Sequence, residues 1–446
     1  MPPAHPRSPR LLVADQVAGV IRVLDLPDGS ETGRIEGRHL AEHAGFLALP
    51  RGRTAFVDDL AGELVVLDPY GPDAGRPLVG TTVPVATPAE HLAADPSGRL
   101  LAVTTGLGRN EEPWSDVLTA VDLGVAGGPR SVRVRTRTGE PGVTVLGAEG
   151  AEGGERSEES EGWDPIAGTA PDVADTSDVA DAPDALVVLR HREPGSLTAY
   201  RHADLLATAS GCPRVEPVHE VRLPDDDGHG DAYDPVTGRL FAAAGSGVHR
   251  ARREGTSLVA DAPLSWGGPG RGFYLRLDPV RRALWSCVRG GPADPGRWPE
   301  WTNDAWWYGL DSGRGGRLSL GPGLVFRLAV AARRVAYARV HPDGDELILL
   351  APEDPVVTAR VPLPAMDGAP RAGNTPWDGV QRRAVAASPG GDLVAVTRGG
   401  HGEIHVVDAV AASVAVTLSV PTPLDDGGHL ALVSPEDGAE RDPVGR

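Results

Sequence analysis

Apolar residues recur along this chain in short runs set off by turn-forming residues, as in "LLVAD" (11–15), "FLALPRGRTAFVDD" (46–59), "LAADPSGRLLAVT" (92–104) and "HVVD" (405–408). Almost none of these runs extends with the 3.6-residue period of an amphipathic helix, and 58 Gly and 42 Pro punctuate them. The pattern predicts strands and turns, hence an all-β protein. A recurrent unit is visible within it: an apolar run, a Pro-x-Gly-like turn, a second apolar run, a loop, and a run ending in Asp. Pro50, Pro96, Pro235, Pro279, Pro389 and Pro435 mark the turn of each unit.

Pro50 and Pro96, Pro235 and Pro279, and Pro389 and Pro435 lie 46, 44 and 46 residues apart. A period in the forties with about four strands per unit predicts a β-propeller, whose blades bury their faces only against one another. Two longer gaps each hold room for a further blade. The first also contains the acidic, Gly/Ser/Ala-rich tract 147–184, which has too little apolar surface to order itself and is expected to be a disordered insertion on the bottom face. The second hides a blade in "FRLAVAARRVAYARVHPDGDELILLAPEDPVVTARVPLP" (326–364). The C-terminal "HLALVSPEDG" has no following strands, while "LLVADQVAGVIRVLDLPDGSETGRIEG" near the N-terminus supplies three strands and lacks a first. Joining the two ends into one blade closes the ring and removes the exposed edge. The count is eight blades in one domain over residues 1–446, or seven if the weak unit around 139–225 is not a blade, with 439–446 a C-terminal tail.

The segments "SPGGDLVAVTRGGHGEIHVVD" (388–408) and "DPSGRLLAVTTG" (95–106) resemble the blades of YVTN and lactonase-like propellers. That resemblance covers most of the chain and implies a fold. Propellers host hydrolases, lyases, oxidases and inert platforms, so function has to be sought in a site.

Charge and cysteine content narrow the classes. All 43 cationic residues are Arg, against 62 acidic ones, for a formal charge of −19 and a pI near 5.1. Such a surface lacks the clustered cations that a nucleic-acid partner requires. Cys212 and Cys287 are too few and too scattered for a disulfide framework or a thiolate metal cluster. The first residues, "MPPAHPRSPRLLVADQ", lack the cationic start and apolar core of a secretory signal, and no run is long enough to span a bilayer. A soluble, cytoplasmic, monomeric protein without a membrane partner is expected.

The candidate chemistry lies where each innermost strand begins, beside the channel mouth. Four of the 13 His fall there: His43 and His91, each in an Ala-Glu-His triplet, His229 and His429. Four neutral imidazoles at matched positions suit one divalent metal ion, as the unit-by-unit repetition of the triplet suggests; hydrogen-bonding or packing roles are the alternative. Their arrangement resembles the non-haem iron site of carotenoid-cleaving oxygenases, which implies iron(II) ahead of copper, zinc or manganese. Glu42, Glu90 and Glu140 are candidate carboxylates around such an ion, or solvated rim residues. His39, His341, His401 and His405 are expected in loops, turns or outer strands.

Long loops bring Trp114, Trp298, Trp301, Trp306 and Trp307 to the same face, and Trp266 and Trp377 precede innermost strands. They would wall a small-molecule site, or plug the channel. Arg327, Arg382 and Arg383, near the starts of the two units that have no His at the strand entry, would bind an anionic group or form salt bridges. The expected function is a metal-dependent oxidoreductase or lyase acting on a small, partly apolar organic molecule; the alternative is a scaffold whose top face binds a peptide or protein.

Overall fold

A run such as Leu100–Thr105 is buried at five of its six positions, so both faces of its sheet require cover. The computed structural model, which describes residues 8–26, 28–106, 114–139, 141–147, 185–224, 230–425 and 428–434, supplies that cover by setting eight four-stranded antiparallel sheets in a ring. Blade 1 is built from β1 (Arg10–Asp15), β2 (Val20–Asp25) and β3 (Glu31–Glu36), completed by the last strand of the chain. Blade 2 comprises β4 (Leu47–Leu49), β5 (Arg53–Asp58), β6 (Glu63–Leu67) and β7 (Val79–Pro84), and blade 3 comprises β8 (Ala89–Ala94), β9 (Leu100–Thr105), β10 (Asp116–Asp122) and β11 (Arg130–Thr136). Blade 4 holds β12 (Gly142–Leu146), β13 (Leu186–Arg192), β14 (Gly195–Arg201) and, after the short helix α1 (His202–Ala207), β15 (His219–Arg222). Blade 5 holds β16 (Asp231–Asp234), β17 (Arg239–Ala244), β18 (Gly247–Glu254) and β19 (Ser257–Leu264).

Blade 6 follows with β20 (Arg271–Asp278), β21 (Ala283–Gly290), β22 (Thr302–Gly309) and β23 (Gly315–Pro322). Blade 7 has β24 (Leu324–Val330), β25 (Val335–Val340), β26 (Asp345–Leu350) and β27 (Val357–Leu363), and blade 8 has β28 (Val385–Ala387), β29 (Leu393–Arg398), β30 (Glu403–Asp408) and β31 (Ser413–Ser419). The last strand, β32 (His429–Val433), pairs antiparallel with β1, from Arg10 opposite Val433 to Ala14 opposite His429. The eight blades and the joining of the two chain ends are those expected from the repeat.

The core has one apolar cluster at each blade junction, and a ninth gathers Trp298, Trp301, Leu324, Val340 and Met366. Leu12, Ile21, Phe56 and Val65 pack blade 1 on blade 2, Leu64, Val66, Leu101 and Val103 pack blade 2 on blade 3, and equivalent clusters fill the remaining junctions. A polar clamp reinforces the closing blade. Arg10 donates through Nη2 to both carboxylate oxygens of Asp73, at 2.8 and 2.7 Å, and lies over the Tyr70 ring, while the Tyr70 hydroxyl donates to Val433 O at 3.1 Å. Asp residues at strand ends hold the tight turns: Asp58 accepts from the amides of Leu60 and Ala61 at 3.1 Å, and Asp408 from those of Val410 and Ala411 at 2.9 and 2.8 Å. These bonds explain the recurring Asp that ends the unit.

The tract 147–184 connects β12 to β13. Its expected disorder, and the tail 439–446, lie outside the described residues apart from Gly147. Leu146 and Leu186 are paired across that hairpin, so a short turn can join them. Replacing residues 148–184 by a four-residue Asn/Gly turn is expected to leave the thermal midpoint within about 2 °C of the parent, the scale of less than about 1 kcal/mol for a chain this size. Differential scanning calorimetry checks this, and a large drop would show that the tract contributes to the fold.

Candidate functional site

The eight innermost strands, β32, β4, β8, β12, β16, β20, β24 and β28, surround the channel, and each begins at the mouth. Because an innermost strand pairs on one side only, extra residues are accommodated there easily. Three of them are bulged near the mouth: β8 at Glu90, β20 between Phe273 and Arg276, and β24 at Phe326. In β20 the bulge places Tyr274 at φ +62°, a conformation rare for a bulky residue. Bulges of this kind re-aim side chains, and here they bear on the channel.

One arc of the mouth carries imidazoles and carboxylates. His43, in the loop before β4, is 3.0 Å from Glu90 through Nδ1, so the carboxylate of one Ala-Glu-His triplet partners the histidine of the other, linking blades 2 and 3. A methyl group at Gly106 would stand 2.6 Å from Glu90 Oε2, so glycine there leaves the carboxylate its room. Burial works to raise the Glu90 carboxyl, but the His43 hydrogen bond and the charges of His43, His91 and Arg192 together hold it below the usual range. Asp59 accepts the Ala89 amide at 2.9 Å, and burial raises its carboxyl. Glu42 is exposed.

His91, in β8, is largely buried and its Nδ1 has no hydrogen-bond partner among the described residues. Burial lowers its pKa, opposed by the charges of Asp231 and Glu90. Asp231, the first residue of β16, pairs with Arg190 at 2.6 Å across the start of blade 4, where a side chain at Gly142 would meet Asp231 Oδ2 at 2.2 Å. A shallow hollow adjoins this pair. His429, the first residue of β32, is pushed down to about 4 by burial, with Arg327 and His43 adding to the effect. His43, Glu90, His91 and His429 thus share one arc; His229 and Glu140 lie outside the described residues.

The opposite arc carries arginines and aromatic rings. Arg327 lies over Tyr274, 5.4 Å from the ring centroid, and its charge acts on Arg276. Arg276 is solvent-accessible yet ringed by protein, as a residue lining a narrow channel must be; burial first, then Arg327, holds its pKa below the ordinary arginine value. Arg289 sits among Phe273, Trp301 and Phe326 at 4.6, 4.8 and 5.1 Å from their centroids. Arg382 faces Phe326 at 6.0 Å and donates to Trp377 O at 2.7 Å. None of these four guanidiniums has a carboxylate partner among the described residues. Arg383 differs: it is buried, bonded to Asp345 at 2.8 Å and to Thr397 O at 3.0 Å, and ties blade 8 to blade 7.

The tryptophans divide between packing and site. Trp266 and Trp306 are buried in the blade 5–6 junction, edge to face at 5.0 Å, and Trp307 packs against the blade 6–7 core. They leave the channel because alternate residues of a strand face the two neighbouring blades rather than the axis. Trp298, within the loop from Pro292 to Trp301, turns its side chain inward, fully buried, and donates to Arg371 O at 3.2 Å. Trp114 lies under Arg214 at 3.4 Å, beside the outer strand of blade 3. Trp301 and the exposed Trp377 stack at 6.0 Å above the arginine arc, so of the seven expected wall residues these two adjoin it. His405 is buried in β30 with Thr417, His401 is 3.5 Å from Asp367, and His341 accepts the Asp343 amide within its turn.

Sequence reading missed Asp231, Arg190, Arg276, Arg289, Tyr274 and Phe326. Arg276 had a signal, since "FYLRLD" puts a cation inside an otherwise apolar innermost strand; the aromatic cage of Arg289 arises from three separate segments and had none. Among the described residues no three His, Cys, Asp or Glu side chains converge to hold a metal ion. His43 is engaged with Glu90, and the donors among the described residues fall short of a complete ligand set.

No family model matches the chain, and neither does any curated protein. Among solved structures, it is similar to AztD from Citrobacter koseri, in the apo form and in a second crystal structure, each with a TM-score of 0.60 and 12% identity over 96% of this chain and 98% of that one. It is also similar to the dihydro-heme d1 dehydrogenase NirN in complex with DHE, with a TM-score of 0.52 and 16% identity over 94% of this chain and 76% of that one. No helix among the described residues is long and apolar enough to cross a membrane. At these identities the likeness establishes the fold, an eight-bladed β-propeller consistent with the lactonase-like architecture that the repeats resemble.

Proposed function

We propose that the channel mouth binds and transforms a small, partly apolar organic molecule, with His91 as the proton-accepting group. The observation that carries this reading is the buried Nδ1 of His91, which has no partner among the described residues and belongs to a ring kept neutral beside Glu90 and Asp231. A neutral imidazole with a lone pair is the form a general base needs, and a carboxylate nearby stabilises the cation it becomes. Glu90 holds the adjoining His43 in place, and the neutral His429 completes the polar arc.

A divalent cation, iron(II) before copper, zinc or manganese, is the second reading, favoured by the same unpartnered nitrogen and the neighbouring carboxylates. It requires a further donor such as His229 or Glu140. The neighbouring NirN structure contains DHE, a precedent for a ligand in a propeller protein but not for its identity here. Cytoplasmic location and a monomeric state remain parts of this proposal.

Two measurements test it. Small organic acids that raise the thermal midpoint are to be incubated with the protein and the products read by mass spectrometry. Conversion is expected, and His91→Ala is expected to reduce it by at least about a hundredfold while the acid still binds. Binding without conversion, or conversion that survives His91→Ala, overturns the assignment. Elemental analysis of protein purified without a polyhistidine tag separates the readings: about one metal ion per chain, lost in His91→Ala, favours the metal.

Neutral imidazoles also make stability depend on pH. Burial pushes His191 and His429 down to about 4, while an imidazole in the unfolded chain takes up its proton near about 6.5. Between these values the unfolded chain binds more protons, so stability is full above about pH 6.5 and falls as pH drops towards about 4. The urea midpoint is expected to fall between about pH 7.5 and about pH 5, and less so in His429→Leu. An unchanged midpoint would contradict the neutral, buried state of these rings.

A further inference from the structure

The arginine arc combines three independent features. The first is charge without compensation. Acidic residues outnumber arginines by 62 to 43, and nearby arginines find partners, Arg190 with Asp231 at 2.6 Å, Arg383 with Asp345 at 2.8 Å and Arg398 with Glu403 at 2.9 Å. Arg276, Arg289, Arg327 and Arg382 stand together without one among the described residues, so scarcity of carboxylates is not the cause. Guanidiniums do not deprotonate under ordinary conditions, and grouping them raises the energy of the free protein. The second feature is shape: a shallow hollow opens beside them, with Phe326, Arg327 and Arg382 in its wall. The third is backbone distortion, with the bulges of β20 and β24 and the φ of +62° at Tyr274 falling at the residues that hold these arginines.

We propose that this cleft is a binding site for a small organic anion, a carboxylate or phosphate monoester, whose charged head meets Arg327 and Arg382 and whose apolar body lies on the partly exposed Phe326 ring. Arg276 adds to the positive field beneath Arg327. Arg289 is occupied by its three aromatic neighbours and fixes the Phe326 ring. The inference deepens the channel-mouth reading by naming the class of molecule; Arg327, whose charge acts on His429, lies where the two arcs meet.

The probes are benzoate, phenyl phosphate and inorganic phosphate, titrated calorimetrically into the full chain. Benzoate or phenyl phosphate is expected to bind, to bind more weakly at about 0.5 M salt, and to lose about tenfold or more in affinity in Arg327→Met and in Arg382→Met. Arg333→Met, which removes a surface pair with Asp392 away from the mouth, is expected to leave binding unchanged. Without any ligand, Arg327→Met is expected to melt at the parent temperature or above it, because it removes an uncompensated charge. Failure of both organic probes to bind, binding indifferent to Arg327→Met and Arg382→Met, inorganic phosphate binding as tightly as phenyl phosphate, or a lowered melting temperature in Arg327→Met would each overturn the proposal. Probe binding that depends on these arginines while no product forms leaves the anion site standing and sinks only the assignment to His91; conversion that needs His91 but not Arg327 or Arg382 does the reverse.

Discussion

Each blade of this protein has two apolar faces and no way to cover either by itself. Leu12, Val57, Leu101 and Leu189 are solvent-free only because the next sheet stands against them, and the requirement passes from blade to blade until the chain's last strand returns to its first. Ring closure is therefore a condition for every junction. It also has a consequence at the centre. The innermost strands give up one line of backbone pairing to face the channel, and their first residues are freed from the alternation that governs the other strands.

That freedom is where the chemistry collects. Three innermost strands are bulged near the mouth, and the bulges put Glu90, Tyr274 and Phe326 out of register with their partners. The mouth is polarised as a result. Blades 1, 2, 3 and 5 contribute His429, His43, Glu90, His91 and Asp231, while blades 6 to 8 and the segments joining them contribute Arg276, Arg289, Arg327 and Arg382 with their rings. A molecule lying across it meets hydrogen-bond acceptors and proton-binding groups on one side and fixed positive charge over an apolar cleft on the other. Such placement of few polar groups on an apolar floor is how small-molecule sites achieve orientation.

The repeat was legible in the sequence because blade geometry imposes it locally: Pro96 and Pro279 mark turns, and Asp58 and Asp408 hold others through bonds to the amides just beyond them. The positions of His43, His91 and His429 at or near strand starts were legible for the same reason. Their partners were not. Glu90 bonds His43 rather than acting on the neighbouring His91 alone, a cross-blade contact that the spacing of the two triplets does not encode. The tryptophans misled because loop length predicts the top face for Trp306 and Trp307, whereas both lie in a strand whose alternation turns them into blade junctions. Arg383 and Arg382 are adjacent in sequence and opposite in fate: the first finds Asp345 and becomes structural, the second, among the described residues, finds a ring and a carbonyl.

The central claim is that both arcs serve one bound molecule. Diffraction from crystals soaked in 4-bromobenzoate tests it most directly, because the anomalous signal of bromine locates the probe without prior assumption. The account predicts a peak over the Phe326 ring in the cleft of blades 7 and 8, with carboxylate density at Arg327 and Arg382. Bromine found only at outer strands or on the bottom face, with the channel mouth unaltered, would contradict it.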